Sequence, residues 1–117
     1  MAQATTLELL PQTAFSGQAT VTGNVVPAAA YYLGYQDLQT LTWNVGGGVS
    51  DSFTGIIILE ASLADTPGDN DWFSVFNLPL TSSNQSSYTN IQGNFVWLRV
   101  RVEGFIKGVI RHVKISY

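Results

Sequence analysis

An acidic loop contains the first residues of the chain that could do chemistry. Asp65, Asp69, Asn70 and Asp71 fall within the segment ADTPGDND, and clustered oxygen ligands on a turn are what Ca²⁺ prefers in proteins. Their spacing does not match an EF-hand and the closing Glu is missing. Turn formation explains the same residues, because Asp and Asn side chains hydrogen-bond their own backbone. Asp65, Asp69 and Asp71 are candidate Ca²⁺ ligands, and the sequence predicts no required cofactor.

Catalytic residues are sparse. His112 is the only histidine and stands between Arg111 and Val113 in a strand-like segment. A lone histidine without an orienting partner in sequence rarely marks a catalytic triad. The chain contains no GxSxG, HExxH, P-loop or dinucleotide-binding fingerprint. The sequence therefore predicts a protein that is not an enzyme.

Aromatic residues suggest binding instead. Three tryptophans and several tyrosines could include a sugar-stacking platform of the kind that β-sandwich carbohydrate binders use. Core packing is the alternative, and it suits Trp43, which alternates with polar residues beside Leu41 and Val45. Trp97 differs because it shares the polar face of its strand with Arg99. We expect Trp97 to be an interface anchor or a ring covered by a loop.

Composition restricts the class of protein. The chain has 117 residues, 11% of them charged, with a net charge of -3. This acidity argues against nucleic acid as a partner. Cysteine is absent, so no disulfide or thiolate metal site is expected. We find no signal peptide and no apolar run long enough for a membrane span, so we expect synthesis in the cytoplasm and no membrane partner.

Strand signals dominate the chain. Alternating or apolar runs predict strands at Leu38–Val45, Phe53–Leu63 and Trp72–Leu80, and two more joined around Gly104–Gly108, whereas Thr81–Asn94 looks like a polar loop. Gly, Pro, Asn and Ser punctuate these segments. We expect an all-β single domain over 1–117, with 1–15 as a possible N-terminal arm. The predicted architecture is an antiparallel β-sandwich, jelly-roll-like, of about six to eight strands.

Two strands carry unusual side chains. Phe53–Leu63 is apolar on both faces, so Ile56 and Ile58 need cover from a loop or a neighbouring subunit. Strict alternation in the last strand would turn Arg111 inward. A β-bulge near Arg111–His112 would instead place Ile110 inside with Val113, Ile115 and Tyr117.

All five basic residues stand at the end of the chain. Met1–Leu98 has seven acids and no base, whereas Arg99–Tyr117 has five bases and one acid, Glu103. Opposite patches favour head-to-tail contacts between identical subunits. Pairing between neighbouring strands of one subunit explains the asymmetry equally well. We predict an interface at Trp97, Arg99, Arg101, Ile56 and Ile58.

The second half of the chain resembles a known kind of protein. A strand ending in EASL, a short Asp/Thr/Pro loop, DWF, and then GNFVWLRVRV leading through Gly to a last strand are similar to β-sandwich modules of tailed-bacteriophage virion proteins. They are most similar to structural proteins of T4-like marine cyanophages. The resemblance covers about Leu38–Tyr117 and identifies no catalytic residue.

The resemblance implies a non-enzymatic building block of the virion. It would be made in the host cytoplasm and would act in capsid decoration, the neck, the tail or a fibre. Its partners would be other virion proteins and further copies of itself, with a trimer favoured. The alternative is a carbohydrate-binding module for host-surface glycans.

Overall fold

The computed structural model describes residues 6–16, 20–29, 38–46 and 53–117, with the backbone alone at 14–16, 82–83 and 105–107. Its regular elements are nine β-strands: β1 Thr6–Leu10, β2 Thr13–Ser16, β3 Val21–Thr22, β4 Val26–Pro27, β5 Leu38–Gly46, β6 Phe53–Ser62, β7 Phe73–Ser83, β8 Gln85–Gln92 and β9 Trp97–Ser116. Every strand pair is antiparallel. The predicted all-β antiparallel sandwich is confirmed, and the short N-terminal strands bring the number to nine.

Strand β9 organises the fold. Its first half pairs with β6 and its second half with β5, while β4, β3, β2 and β1 follow one another along its other side. Gly104 and Gly108 have φ angles of 61° and 108°, which glycine adopts at little cost. The prediction of two strands joined around these glycines was wrong. The glycines bend one strand so that it passes from one layer to the other.

The other four long strands, β5 to β8, are also divided between the two layers. β5 and β6 lie end to end along β9, and β8 and β7 lie end to end along β5 and β6. One layer therefore contains β7, β6, the first half of β9, and β3 with β4. The second layer contains β8, β5, the second half of β9, and β1 with β2. Long antiparallel strands folded across their middle give the double-sheet arrangement of a jelly roll.

The inner faces of the two layers form the core. Leu98, Val100 and Val102 from the first layer and Ile110 and Val113 from the second are all fully buried. The ring of Trp43 in β5 lies 6.2 Å from that of Phe76 in β7, which joins the layers across the core. Burying these side chains stabilises the fold by about 1.5–3 kcal/mol each.

The predicted N-terminal arm is partly a strand of this domain. Thr6 lies opposite Ser116 and Leu7 opposite Ile115, and Leu9 is completely buried in the core. Residues 6–10 therefore complete the sheet of their own chain. Residues 1–5 lie outside the described part.

The predicted bulge is confirmed. In the pairing of β5 with β9, Asn44 lies opposite His112 and Val45 opposite Ile110, so Arg111 is the extra residue. Arg111 is exposed, while Ile110 is completely buried. The bulge keeps a guanidinium out of the core and an isoleucine in it.

Two sequence interpretations near the edge of the sandwich were wrong. The strand predicted at Trp72–Leu80 does not end at Leu80, because β7 continues past Pro79 to Ser83. An edge strand tolerates proline, since the missing N–H needs no partner on the outer side. The segment taken as a polar loop contains β8, in which Ile91 is buried and most other residues are exposed. An edge strand with so little buried surface lacks the apolar alternation that sequence patterns rely on.

Candidate functional site

The outer face of the first layer brings the predicted interface residues together. Trp97, Arg99 and Arg101 alternate along β9 with the buried core residues, so they point away from the core. In the neighbouring β6, Ile56 lies opposite Glu103 and Ile58 opposite Arg101. The five residues that the sequence singled out therefore share one face. We call this surface, with Glu60, the arginine face.

A network of ion pairs crosses the arginine face. Arg99 Nε donates to Glu60 Oε1 at 2.8 Å, and Arg101 Nε donates to Glu60 Oε2 at 3.3 Å. Arg101 also pairs with Glu103. Glu60 is only 7% exposed, and a buried carboxylate needs such partners to offset its lost hydration. Both arginines therefore have carboxylate partners within their own chain.

The same network supplies part of the cover that β6 needs. Ile58 is 5% exposed although it stands on the outer face, and Arg101 is its cross-strand neighbour. Arginine side chains cover apolar surface with their methylene stems while the guanidinium stays near water. Ile56 is half-buried. Cover from the arginines of the same chain was not among the sequence expectations, which named a loop or another subunit.

A groove opens beside the arginine face. It has a volume of about 400 Å³, and the residues that matter for its chemistry are Val25, Asp65, Asp69, Trp72, Trp97 and Arg99. The Arg99 guanidinium lies over the Trp72 ring, 4.3 Å from its centroid. Trp97 Nε1 donates to the backbone oxygen of Asp65 at 3.2 Å. The groove thus brings together two indoles, one guanidinium and two carboxylates. The loop that contains Asp65 contacts the indole N–H of Trp97, in line with the expectation that a loop covers this ring.

The candidate Ca²⁺ ligands are not gathered into a cation site. Asp71 Oδ2 accepts a hydrogen bond from Gly68 N at 2.7 Å, and Asp71 N donates to Gly68 O. This is the turn chemistry that the sequence offered as the alternative. Asp65 and Asp69 line the groove instead. Within the described residues, no three His, Cys, Asp or Glu side chains are placed to hold a metal ion.

The remaining described cations lie on the second layer. Arg111 Nη1 donates to Asn44 Oδ1 at 3.0 Å. No ion pair joins Arg111 or Lys114 to a carboxylate in the described part of the chain. His112 is half-buried and its Nδ1 has no hydrogen-bond partner among the described residues. Among the described residues, no acceptor orients the His112 ring through Nδ1, the contact that the histidine of a catalytic triad receives.

The outermost strands on one side of the sandwich carry no charge. β7 ends one layer and β8 the other, and neither pairs with a further described strand. Together they present a nearly continuous edge from Phe73 to Gln92, without a single Asp, Glu, Lys or Arg. Tyr88 in this edge is 65% exposed. We call Phe73–Gln92 the uncharged edge.

Comparison with family models, with curated proteins and with solved structures gives no match. In the described residues, no helix combines the length and the hydropathy that crossing a membrane requires. The fold and the two surfaces described above therefore carry the functional argument.

Two contacts of this site were not predicted from the sequence. Trp72 was one of the aromatic residues considered for a sugar-stacking platform, but its contact with Arg99 depends on how the loop folds back. Glu60 was not among the predicted site residues. Its opposite charge to Arg99 was the available signal, but the pairing needs the register of β6 on β9, which the sequence does not fix.

Proposed function

We propose that this chain is a non-enzymatic structural or assembly protein of a phage virion that acts through contacts between identical subunits. The observation that carries the assembly role is the uncharged edge, which is formed by the two outermost described strands and contains no charged side chain. Natural β-proteins protect such edges with charges, prolines, β-bulges, covering loops or very short strands. β7 has a proline, Pro79, and irregular pairing with β6, whereas β8 has no proline and pairs regularly with β5. β7 and β8 have 11 and 8 residues and contain no charged side chain. Pairing with another subunit is the use that this edge favours.

The virion setting is supported by the resemblance. The EASL segment forms the end of β6, the DWF segment leads from the acidic loop into β7, and the GNFVWLRVRV segment enters the first half of β9. All three meet at the same end of the first layer. The few charged residues also suit a subunit whose surface is largely covered by neighbours.

The arginine face is a second proposed contact. Its arginines are already paired with Glu60 and Glu103, so a partner would meet a nearly neutralised surface with Trp97 at one end. Such a surface favours contact through shape and aromatic packing. Because Arg99 and Arg101 are already paired, ion pairs between them and a partner subunit's carboxylates would add little binding free energy. Arg111 and Lys114 have no ion-pair partner among the described residues.

Light scattering on the purified protein tests the assembly role. We expect a discrete oligomer, with a trimer favoured, across a wide range of concentrations. Mass spectrometry of purified virus particles should find the chain in several copies per particle. A strict monomer that is absent from particles would contradict both parts of the proposal.

Carbohydrate recognition is a second candidate function, and the groove beside the arginine face favours it. Indole rings stack on the apolar faces of sugars, and carboxylates accept hydrogen bonds from sugar hydroxyls. A glycan array tests this function. Binding to a defined set of glycans supports it, and an array without binding contradicts it.

A further inference from the structure

We propose that the groove between Trp72 and Trp97 is a binding site for a neutral pyranose, the class of uncharged six-membered ring sugars. This inference rests on carbohydrate recognition, the second candidate function, and adds the site and the class of sugar. The volume of about 400 Å³ lies toward the lower end of the range of small-ligand sites, about 300–1,000 Å³.

The aromatic walls of the groove are held in place before any ligand arrives. Arg99 is fixed on one side by Glu60, at 2.8 Å, and stacks on Trp72 on the other. The N–H of Trp97 is engaged by the backbone of Asp65. A ligand that meets rigid indoles loses less free energy to ordering the site, which raises affinity for a given contact area.

Charge decides which sugar fits. Asp65 and Asp69 are exposed at the groove, and they have only acceptor oxygens at neutral pH. They would repel the carboxylate of an acidic sugar and accept hydrogen bonds from neutral hydroxyls. Arg99 in the same wall is paired with Glu60 and would donate to a ring or hydroxyl oxygen with its remaining N–H groups. Acceptors and a donor beside apolar rings therefore favour a neutral polyhydroxylated ring.

Tryptophan fluorescence and NMR titration of the full chain test the site. The probes are methyl glucopyranoside, methyl galactopyranoside and methyl mannopyranoside, with glucuronate as the acidic counterpart. We expect at least one neutral glycoside to shift the indole N–H signals of Trp72 and Trp97 saturably, and to bind at least tenfold tighter than glucuronate. Failure of all three neutral glycosides to bind, or tighter binding of glucuronate, would overturn the proposal.

Variants locate the binding. Trp72→Ala should weaken binding at least tenfold, and Asp69→Ala, which changes an exposed side chain, should weaken it several-fold without loss of folding. Glu8→Ala is the matched control for Asp69→Ala because Glu8 is an exposed acidic residue outside the groove, and its binding should equal that of the wild type. Equal binding by Asp69→Ala and the wild type would overturn the site.

These experiments test the two candidate functions independently. The oligomer mass measured on the same samples reports on assembly alone. Glycan binding on an array that survives Trp72→Ala and Asp69→Ala would leave carbohydrate recognition standing and overturn the groove as its site. Loss of binding in these variants at an unchanged oligomer mass would support the groove.

Discussion

Replacing Glu60 by glutamine tests whether the ion-pair network stabilises the fold. Glutamine keeps the shape of the side chain and one acceptor oxygen, but it removes the charge and turns an N–H₂ group toward an arginine. Both carboxylate oxygens of Glu60 are used, one by Arg99 and one by Arg101. The substitution therefore removes one of the two hydrogen bonds and leaves the other with a charged donor but a neutral acceptor.

The structure sets the size of the effect. Hydrogen bonds to charged groups contribute about 1.5–3 kcal/mol each and neutral ones about 1 kcal/mol. The arginine side chains are 18% and 30% exposed, so water recovers part of the loss. We expect Glu60→Gln to lower the free energy of unfolding by about 2 kcal/mol.

Urea unfolding of the variants gives the measurement. Glu8→Gln is the matched control, since Glu8 is exposed and makes no ion pair with a described residue, and its change should stay within about 0.5 kcal/mol. A double-mutant cycle with Arg99→Gln should give a coupling energy above about 0.5 kcal/mol. A Glu60→Gln variant as stable as the Glu8→Gln control would show that the ion-pair network does not stabilise the fold.

Three further substitutions test the fold by the same unfolding measurement. Ile110→Ala should lower the free energy of unfolding by about 3 kcal/mol and Val109→Ala by less than about 1 kcal/mol, because the bulge buries Ile110 completely. A larger effect at Val109 than at Ile110 would contradict the bulge. Gly104→Ala should cost about 1–2 kcal/mol because φ is 61°, whereas Gly68→Ala should be nearly neutral, and equal effects would contradict the bend. Gln39→Leu should cost about 2 kcal/mol, since it leaves a buried backbone N–H without its acceptor; an unchanged stability would contradict that contact.

The sequence predicted those features of the fold that depend on local alternation. Alternation in Leu38–Val45 placed Leu41 and Trp43 in the core, where both are buried. The cost of burying a charge predicted the bulge that exposes Arg111. These inferences work because each strand has one face toward the core, and the period of two marks that face.

The connections between strands were not predictable in the same way. Glycine is equally compatible with a tight turn and with a bent strand, so Gly104 and Gly108 did not distinguish a hairpin from the single strand β9. Edge strands bury too few side chains to show an alternating apolar pattern, so the sequence did not predict β8. The groove depends on a loop that brings Trp72 to Arg99, and such a long-range contact has no local signal.

Lysine substitution on the uncharged edge tests the proposed assembly most directly. Ser87 is exposed in β8 opposite Trp43, where a lysine would block pairing with a further strand. Gln12→Lys adds the same charge at an exposed position between β1 and β2. By light scattering, we expect a discrete oligomer for the wild type and for Gln12→Lys, and a monomer for Ser87→Lys. An oligomer that forms equally well in all three proteins would contradict the proposed edge contact, as would a monomeric wild type.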